Sequence, residues 1–550
     1  MNKTIICTAM LLASGAATAQ ETYESAQLAS TNLNGTARYI GMGGAMEALG
    51  ADISTMSSNP AGIGLFRKSW VGASGGLTVQ RGSADNGPVT LSDYDGKKGV
   101  TNADFNQIGF VYSTQTGSQT WFNLGVNYHK STNFNMLSDA VNVLNNASLN
   151  KMSYMRLASQ KINVDSWNKG RDDRWYDMSL MDDVNYSVIN DNFADYGAGN
   201  DCFDGYSAAD SYFARKDNSG YISQFDINFS GNLFNRIYLG VSFGLKDVHY
   251  NSYTTYNESL VDAADAPRGS VYTYDNRKIT GTGFDIKFGM IFRPIEDSPF
   301  RIGAYIHTPT WYDLDCYGSM GAEAYYSLDN KEYSPAYSQT YDYKYKMTTP
   351  WKFGLSVGHT VDNIVALGAT YEYADYSFIK NKIVLDYDHS VYEKDFDMDN
   401  NTDMNLRGVH TAKFGVEVKP VQEVAIRMGY NYISPMYRDN ASKDFMIYTN
   451  PNDGSVGNYY TTYDYTNWKD THRVTFGLGF SLSKNLNLDL SYQYSTQKGE
   501  YHPFQSVYDL KTFGLENGQV AEIASETNIG TPTTIKNNRH QINATLGYRF

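Results

Sequence analysis

The connections between strands constrain this chain more than the strands do. Apolar and small polar residues alternate with a period of two, the signature of strands with one apolar face. Val474, Phe476, Leu478, Phe480 and Leu482 alternate with Thr475, Gly477, Gly479 and Ser481. The same pattern predicts fourteen strands, near 69–80, 104–116, 119–131, 219–233, 236–250, 278–294, 299–312, 340–360, 363–380, 404–419, 422–437, 470–483, 486–499 and 536–550. Connections after even strands are tight, as at Gly117-Ser118, Phe234-Asn235, Val361-Asp362 and Lys484-Asn485. Those after odd strands are long: 81–103, 132–218, 251–277, 313–339, 381–403, 438–469 and 500–535. A soluble sandwich has no reason to sort its connections this way. An all-β, antiparallel transmembrane barrel does, with tight periplasmic turns, long extracellular loops and an even strand number.

The two faces of each strand agree. Outward positions carry Phe, Leu, Ile, Val and Tyr; inward positions carry Gly, Ser, Thr, Asn and isolated charges. The inward charges are Asp226, Lys246, Asp285, Lys287, Lys352, Glu372, Lys413, Glu417, Arg427, Asp489 and Arg549. On the lipid face Arg or Lys costs about 2–4 kcal/mol at the midplane, so these are expected in the lumen. Tyr430, Tyr432, Tyr492 and Tyr494 fall where an outer aromatic girdle belongs. The net charge of −14 argues against nucleic acid. Beyond the first dozen residues no apolar run is long enough for a transmembrane helix.

Residues 1–19 read as a signal peptide: Lys3, an apolar stretch from Ile5 to Ala17, and Ala17-Thr18-Ala19 as the cleavage site. Two cysteines follow it, Cys202 and Cys316, and they pair or stay free. Residues 20–68 are not strand-like. Gly-rich turns and short helical pieces make them a plug for a barrel too wide for its own side chains to fill. The domain organisation expected is therefore a signal peptide, a hatch at 20–68, and a barrel at 69–550 with a large extracellular loop at 132–218.

In order along the chain, the residues resemble the FadL/TodX family of outer-membrane transporters for long-chain fatty acids and other hydrophobic compounds. Arg38 to Ala45 and then Asn59-Pro60-Ala61-Gly62 resemble its hatch. Gly283 to Gly289 with Arg293-Pro294, Thr349-Pro350-Trp351, Tyr371 to Ser377, Arg427 to Tyr430 and His472-Arg473 resemble its barrel strands. The resemblance implies a Gram-negative outer-membrane location, loop capture of a hydrophobic ligand, a lumenal site, and lateral release after the hatch and a kink in the third strand rearrange. Gly125 is the candidate kink, on a strand that runs into Asn133-Phe134-Asn135. The ending Tyr548-Arg549-Phe550 resembles the signal read by the barrel-assembly machinery. The partners expected are that machinery, outer-membrane lipid and a hydrophobic small molecule, around a monomer.

Candidate chemistry is sparse. No Gly-x-Ser-x-Gly elbow and no zinc-spaced His/Cys set occurs, so neither an enzyme nor a cofactor is expected. Asp395 to Asp403 resembles the start of a calcium loop, but Asn400 replaces the glycine and Leu406 the closing Glu. An exposed acidic loop is expected there, and no metal. Lys246, Glu372, Lys413 and Arg427 are the candidate lumenal contacts, to the hatch or to a ligand. At the start of the 132–218 loop, Ser138 caps an expected helix with Leu137, Val141, Leu144 and Met152 on one face. Import predicts an apolar cavity between hatch and wall. The alternative is a shuttle, anchor or receptor for secreted proteins or surface ligands, which predicts a fully blocked lumen.

Overall fold

The computed structural model describes residues 21–84, 99–152, 208–261, 266–328, 331–333, 336–362, 364–384, 391–443, 447–449, 456–458, 462–516 and 519–550. The expected signal peptide, Cys202 and most of the 132–218 loop lie outside them. The barrel has fourteen antiparallel staves. They are β1 (Trp70–Ala84), β2 (Gly99–Gly117), β3 (Thr120–Asn133, then Met136–Ala147), β4 (Ala208–Leu233), β5 (Ile237–Val261) and β6 (Pro267–Phe292). Next come β7 (Arg301–His307, then Trp311–Leu328), β8 (Ala336–Thr348, then Lys352–Val361) and β9 (Val365–Asp375, then Lys380–Val384). β10 (Gly408–Val421), β11 (Val424–Ile433), β12 (Tyr465–Ser481), β13 (Leu486–His502) and β14 (Thr533–Arg549) complete the wall. β1 pairs with β14 from Trp70↔Arg549 to Ala84↔Ile535, which closes the sheet and leaves no edge. At the tight three-residue turn between β4 and β5, Phe234 and Asn235 both take positive φ, and Arg236 N–H donates to the Leu233 carbonyl at 3.0 Å.

The outer surface is what lipid requires. Phe288, Met290, Phe353, Leu355, Phe476, Leu478, Ile542 and Leu546 are all exposed. Above them a unit recurs on three hairpins. Tyr371 and Tyr373 meet His410; Tyr430 and Tyr432 meet His472; Tyr492 and Tyr494 meet His540. In each case the first Tyr hydroxyl shares a hydrogen bond with His Nδ1, at 2.6, 2.7 and 2.8 Å. The pairing gives each amphipathic ring a polar partner where a wet interface meets the apolar band.

Several expectations need correction. β4, β5 and β6 run 26, 25 and 26 residues, so most of the expected loop at 251–277 is strand. At 3.3 Å per residue, 26 residues reach about 85 Å, far more than a bilayer needs. Beyond the membrane the outward residues no longer have to be apolar, so the period-two signal disappears while the pairing continues. The helix expected after Ser138 is instead the second half of β3, paired with β4 from Met136↔Asn218 onward. Leu137, Val141, Leu144 and Met152 are all buried, Leu144 and Met152 in one cluster, but on a bulged strand and the short helical turn after it. Gly125, the candidate kink, pairs in register with Val111 and Asn228, and the break in β3 falls further on, at Phe134-Asn135. The acidic stretch at 395–403 is not a calcium loop but opens a helix, Phe396–Asn405, whose first N–H groups are capped by Asp395. Cys316 is a free, buried thiol.

Candidate functional site

The N-terminal residues pack against the lumenal face of the wall. They form α1 (Thr22–Ala29), α2 (Ala37–Gly41) and two 3₁₀ turns, Ile53–Ser57 and Pro60–Leu65. Their seat on the wall is a row of glycines. Gly358 of β8, Gly368 of β9, Gly415 of β10 and Gly429 of β11 are paired side by side across four staves. A Cβ on Gly368 would overlap the Ala45 carbonyl, and one on Gly415 the Met42 carbonyl. A Cβ on Gly429 would overlap the Gly43 amide. The segment thus rests directly on bare backbone.

Asn59-Pro60-Ala61-Gly62 makes a second seat. Asn59 is fully buried; its Oδ1 accepts from Ala61 N at 3.2 Å, and its Nδ2 donates to the Glu47 carbonyl at 2.9 Å and the Met290 carbonyl at 3.3 Å. One side chain therefore caps a turn and ties two parts of the segment to β6. Gly240 and Gly289 face this tetrapeptide so closely that no side chain would fit at either position. Gly62 in turn lies against Thr55.

Buried ion pairs join segment to wall. Glu47 accepts from Lys413 Nζ at 2.9 Å and from Thr370 Oγ1 at 2.7 Å. Arg38 meets Glu417 at 3.0 Å, and Glu417 also receives Arg427 at 2.6 Å. Glu24 meets Arg277 at 2.8 Å. At the loop side Lys443 pairs with Glu21. Burial pushes the Glu21 carboxyl up, but Lys443, Arg277 and Lys216 outweigh it and hold it down at about 2.

Between the segment and the wall lies a cavity of about 370 Å³, within the range of small-molecule sites. It is not the apolar cavity expected of a hydrophobic-ligand importer. Phe134, Tyr250, Ile433, Met436, Tyr465 and Trp468 line one part. Ten Lys or Arg but six Asp or Glu line the whole, a cationic excess inside a chain of net charge −14.

Among solved structures, a Pseudomonas aeruginosa FadL homologue matches with a TM-score of 0.50 and 12% identity, over 94% of this chain and 99% of that one. The fold is that of a FadL-type barrel. The Ralstonia pickettii toluene transporter TbuX matches at TM-score 0.45 and 12% identity, over 94% and 99% of the two chains. The Pseudomonas putida toluene transporter TodX matches at 0.41 and 12%, over 94% and 98%. No family model and no curated relative matches the sequence.

Within this FadL-type barrel the four candidate lumenal residues separate. Lys413 touches the N-terminal segment directly. Arg427 does so through Glu417, which it shares with Arg38, and its Nη1 also meets Asp489 at 2.6 Å. Glu372 meets Lys352 at 3.2 Å, Lys413 at 3.8 Å and the Tyr305 hydroxyl at 2.8 Å. Lys246 lies off the segment, paired with Asp285 at 3.1 Å. All four are held by ionic partners, which disfavours them as ligand holders. Arg549, expected in the lumen, keeps the inward parity of β14 and acts on Arg38, Asp489, Asp52 and Glu417, but sits exposed at the end of the strand. Sequence reading missed Glu24 and Glu47. The available signal was the presence of Glu21, Glu24, Arg38, Glu47 and Asp52 on a segment whose future wall carries the opposite charges. Among the described residues no His/Cys/Asp/Glu group is arranged to hold a metal.

Proposed function

We propose that this chain is an outer-membrane barrel that passes an amphipathic, fatty-acid-like molecule from its loop side to a lumenal site above an N-terminal hatch. The hatch is residues 20–68, and Asn59-Pro60-Ala61-Gly62 is its main fixing point. The observation that carries this reading is the cavity: about 370 Å³, bounded by the segment, aromatic on one side and cationic overall. A purely apolar cargo would gain nothing from the charges, and a purely polar one nothing from the rings. The break in β3 at Phe134-Asn135 lies beside the cavity, and Phe134 lines it. That supports lateral release there, since the regular ladder is interrupted and side chains take over part of the pairing: Gly220 N–H donates to Asn135 Oδ1 and Arg539 to the Asn133 and Asn135 carbonyls.

The test is mass spectrometry of small molecules extracted from the purified, detergent-exchanged protein and from an Asn59→Ala variant. Enrichment of acidic amphiphiles in the native protein, reduced in the variant, is the expected result. A reproducibly empty barrel, together with unchanged uptake of labelled dodecanoate by cells lacking the protein, overturns the reading.

A further inference from the structure

Most buried cations of the lumen have a carboxylate. Lys246 has Asp285, Lys287 has Asp226, Lys413 has Glu47, Arg277 has Glu24 and Arg427 has Asp489. Arg473 on β12 and Arg539 on β14 do not. Arg473, 8% exposed, donates to Asn431 Oδ1 at 3.2 Å. Arg539 donates to the carbonyls of Asn133 and Asn135 at 3.2 and 2.9 Å, and its buried Nε has no partner. Neither makes an ion pair at contact distance among the described residues; the two repel each other, and Asp104 attracts Arg539 only from beyond that distance. A guanidinium has five N–H donors, so most of Arg473's capacity is unspent.

Both arginines line the main cavity and also a recess of about 90 Å³ that shares Leu33, Asn34, Lys130 and Asn537 with it. The recess holds three cations, Lys130, Arg473 and Arg539, and a single acid, Asp104. Asp104 is already engaged by Lys130 at 3.4 Å and by Asn133 Nδ2 at 3.2 Å. Two positive charges therefore remain unmatched in a pocket otherwise lined by amides and hydroxyls such as Gln493, Ser495 and Gln541. Burying like charges without a counter-ion is unfavourable unless an anion completes the set.

We propose that Arg473 and Arg539 form an oxyanion subsite that takes a carboxylate or a phosphate. Paired planar guanidiniums suit either, because each offers parallel donors to two oxygens of one group. The recess adjoins the main cavity, whose lining includes Trp468 and Tyr465. This is the geometry for an acidic head with an apolar tail. The tail rests on the transport reading above; the anion site does not.

The experiment uses the full-length protein in neutral detergent and low salt, titrated calorimetrically with dodecanoate, dodecanol and inorganic phosphate. Native protein is compared with Arg473→Gln and Arg539→Gln, each checked for folding by heat-modifiable gel mobility. Arg473→Lys serves if the Gln variants do not fold, since it keeps the charge but loses the fork. The expected result is that dodecanoate binding weakens by about tenfold or more in the variants, while dodecanol binding is unchanged. Dodecanoate binding equally well to native protein and variants, or to neither with phosphate also silent, overturns the site. Phosphate binding as tightly as dodecanoate, and lost in the same variants, upholds the oxyanion site while removing its link to an amphipathic cargo. Dodecanoate binding lost in the variants while cellular uptake of dodecanol stays normal separates a failed head-group step from a failed transport reading.

Discussion

The two ends of the lumen are built on opposite plans. On the turn side, the N-terminal segment lies on bare glycine backbone, and its charges are met by opposite charges on the wall: Glu47 by Lys413, Arg38 by Glu417. On the loop side the wall is lined by aromatic rings and unmatched cations, and a cavity remains. The difference teaches what complementarity is for. A surface that must hold its own segment answers the segment's charges, because a half-paired buried charge is costly. A surface that must receive something else leaves groups unsatisfied and space unfilled.

The sharpest way to break this comparison is to put bulk into the seat. Gly368→Val or Gly429→Val would force the segment off four staves at once. The expected outcome is a barrel that conducts ions steadily in planar bilayers, where the native protein conducts little. Unchanged conductance would mean that the segment is not what fills the lumen. Next in size is charge. Glu47→Ala takes the close partner from buried Lys413 and leaves it only Glu372 at 3.8 Å; breaking a buried pair outright costs about 3–5 kcal/mol, the upper bound here. The chemical unfolding midpoint should fall sharply, and Glu47→Ala combined with Lys413→Met should recover much of the loss. If the double variant is no more stable than the single one, the pair is not the cause.

Asn59→Ala removes a cap and two cross-ties without adding bulk. A lost cap costs about 1 kcal/mol, and the orphaned Met290 and Glu47 carbonyls add to it. Faster hydrogen exchange confined to residues 57–66 is expected, with the staves unaffected. A smaller effect tests the loop side. Glu258, on the part of β5 beyond the membrane, accepts from the Leu149 amide at 3.1 Å and from the Tyr256 hydroxyl at 3.0 Å. Burial pushes its carboxyl up to about 7. The folded state therefore holds a proton that the unfolded chain releases near its ordinary value of 4.5. Stability should fall as pH rises from about 4.5 to about 7 and then level off. Glu258→Gln should flatten that slope; a slope that persists in the variant would place its source elsewhere.

The fourteen staves, their faces and the aromatic girdle were legible in the sequence because lipid imposes them locally. A strand in a bilayer must alternate residue by residue, whatever its neighbours are, and a short turn leaves its mark in two or three residues. Where the lipid ended, so did the legibility: the upper halves of β4 to β6 read as loop, and the second half of β3 as helix. What only the tertiary structure decided is which inward residues meet. Gly358, Gly368, Gly415 and Gly429 are scattered over 72 positions of sequence, and shear and register alone set them side by side. The same register gives Lys413 a carboxylate at contact distance and leaves Arg473 and Arg539 in one recess with neither in an ion pair. Alternation is a property of a single strand; pairing across the lumen is a property of the closed barrel.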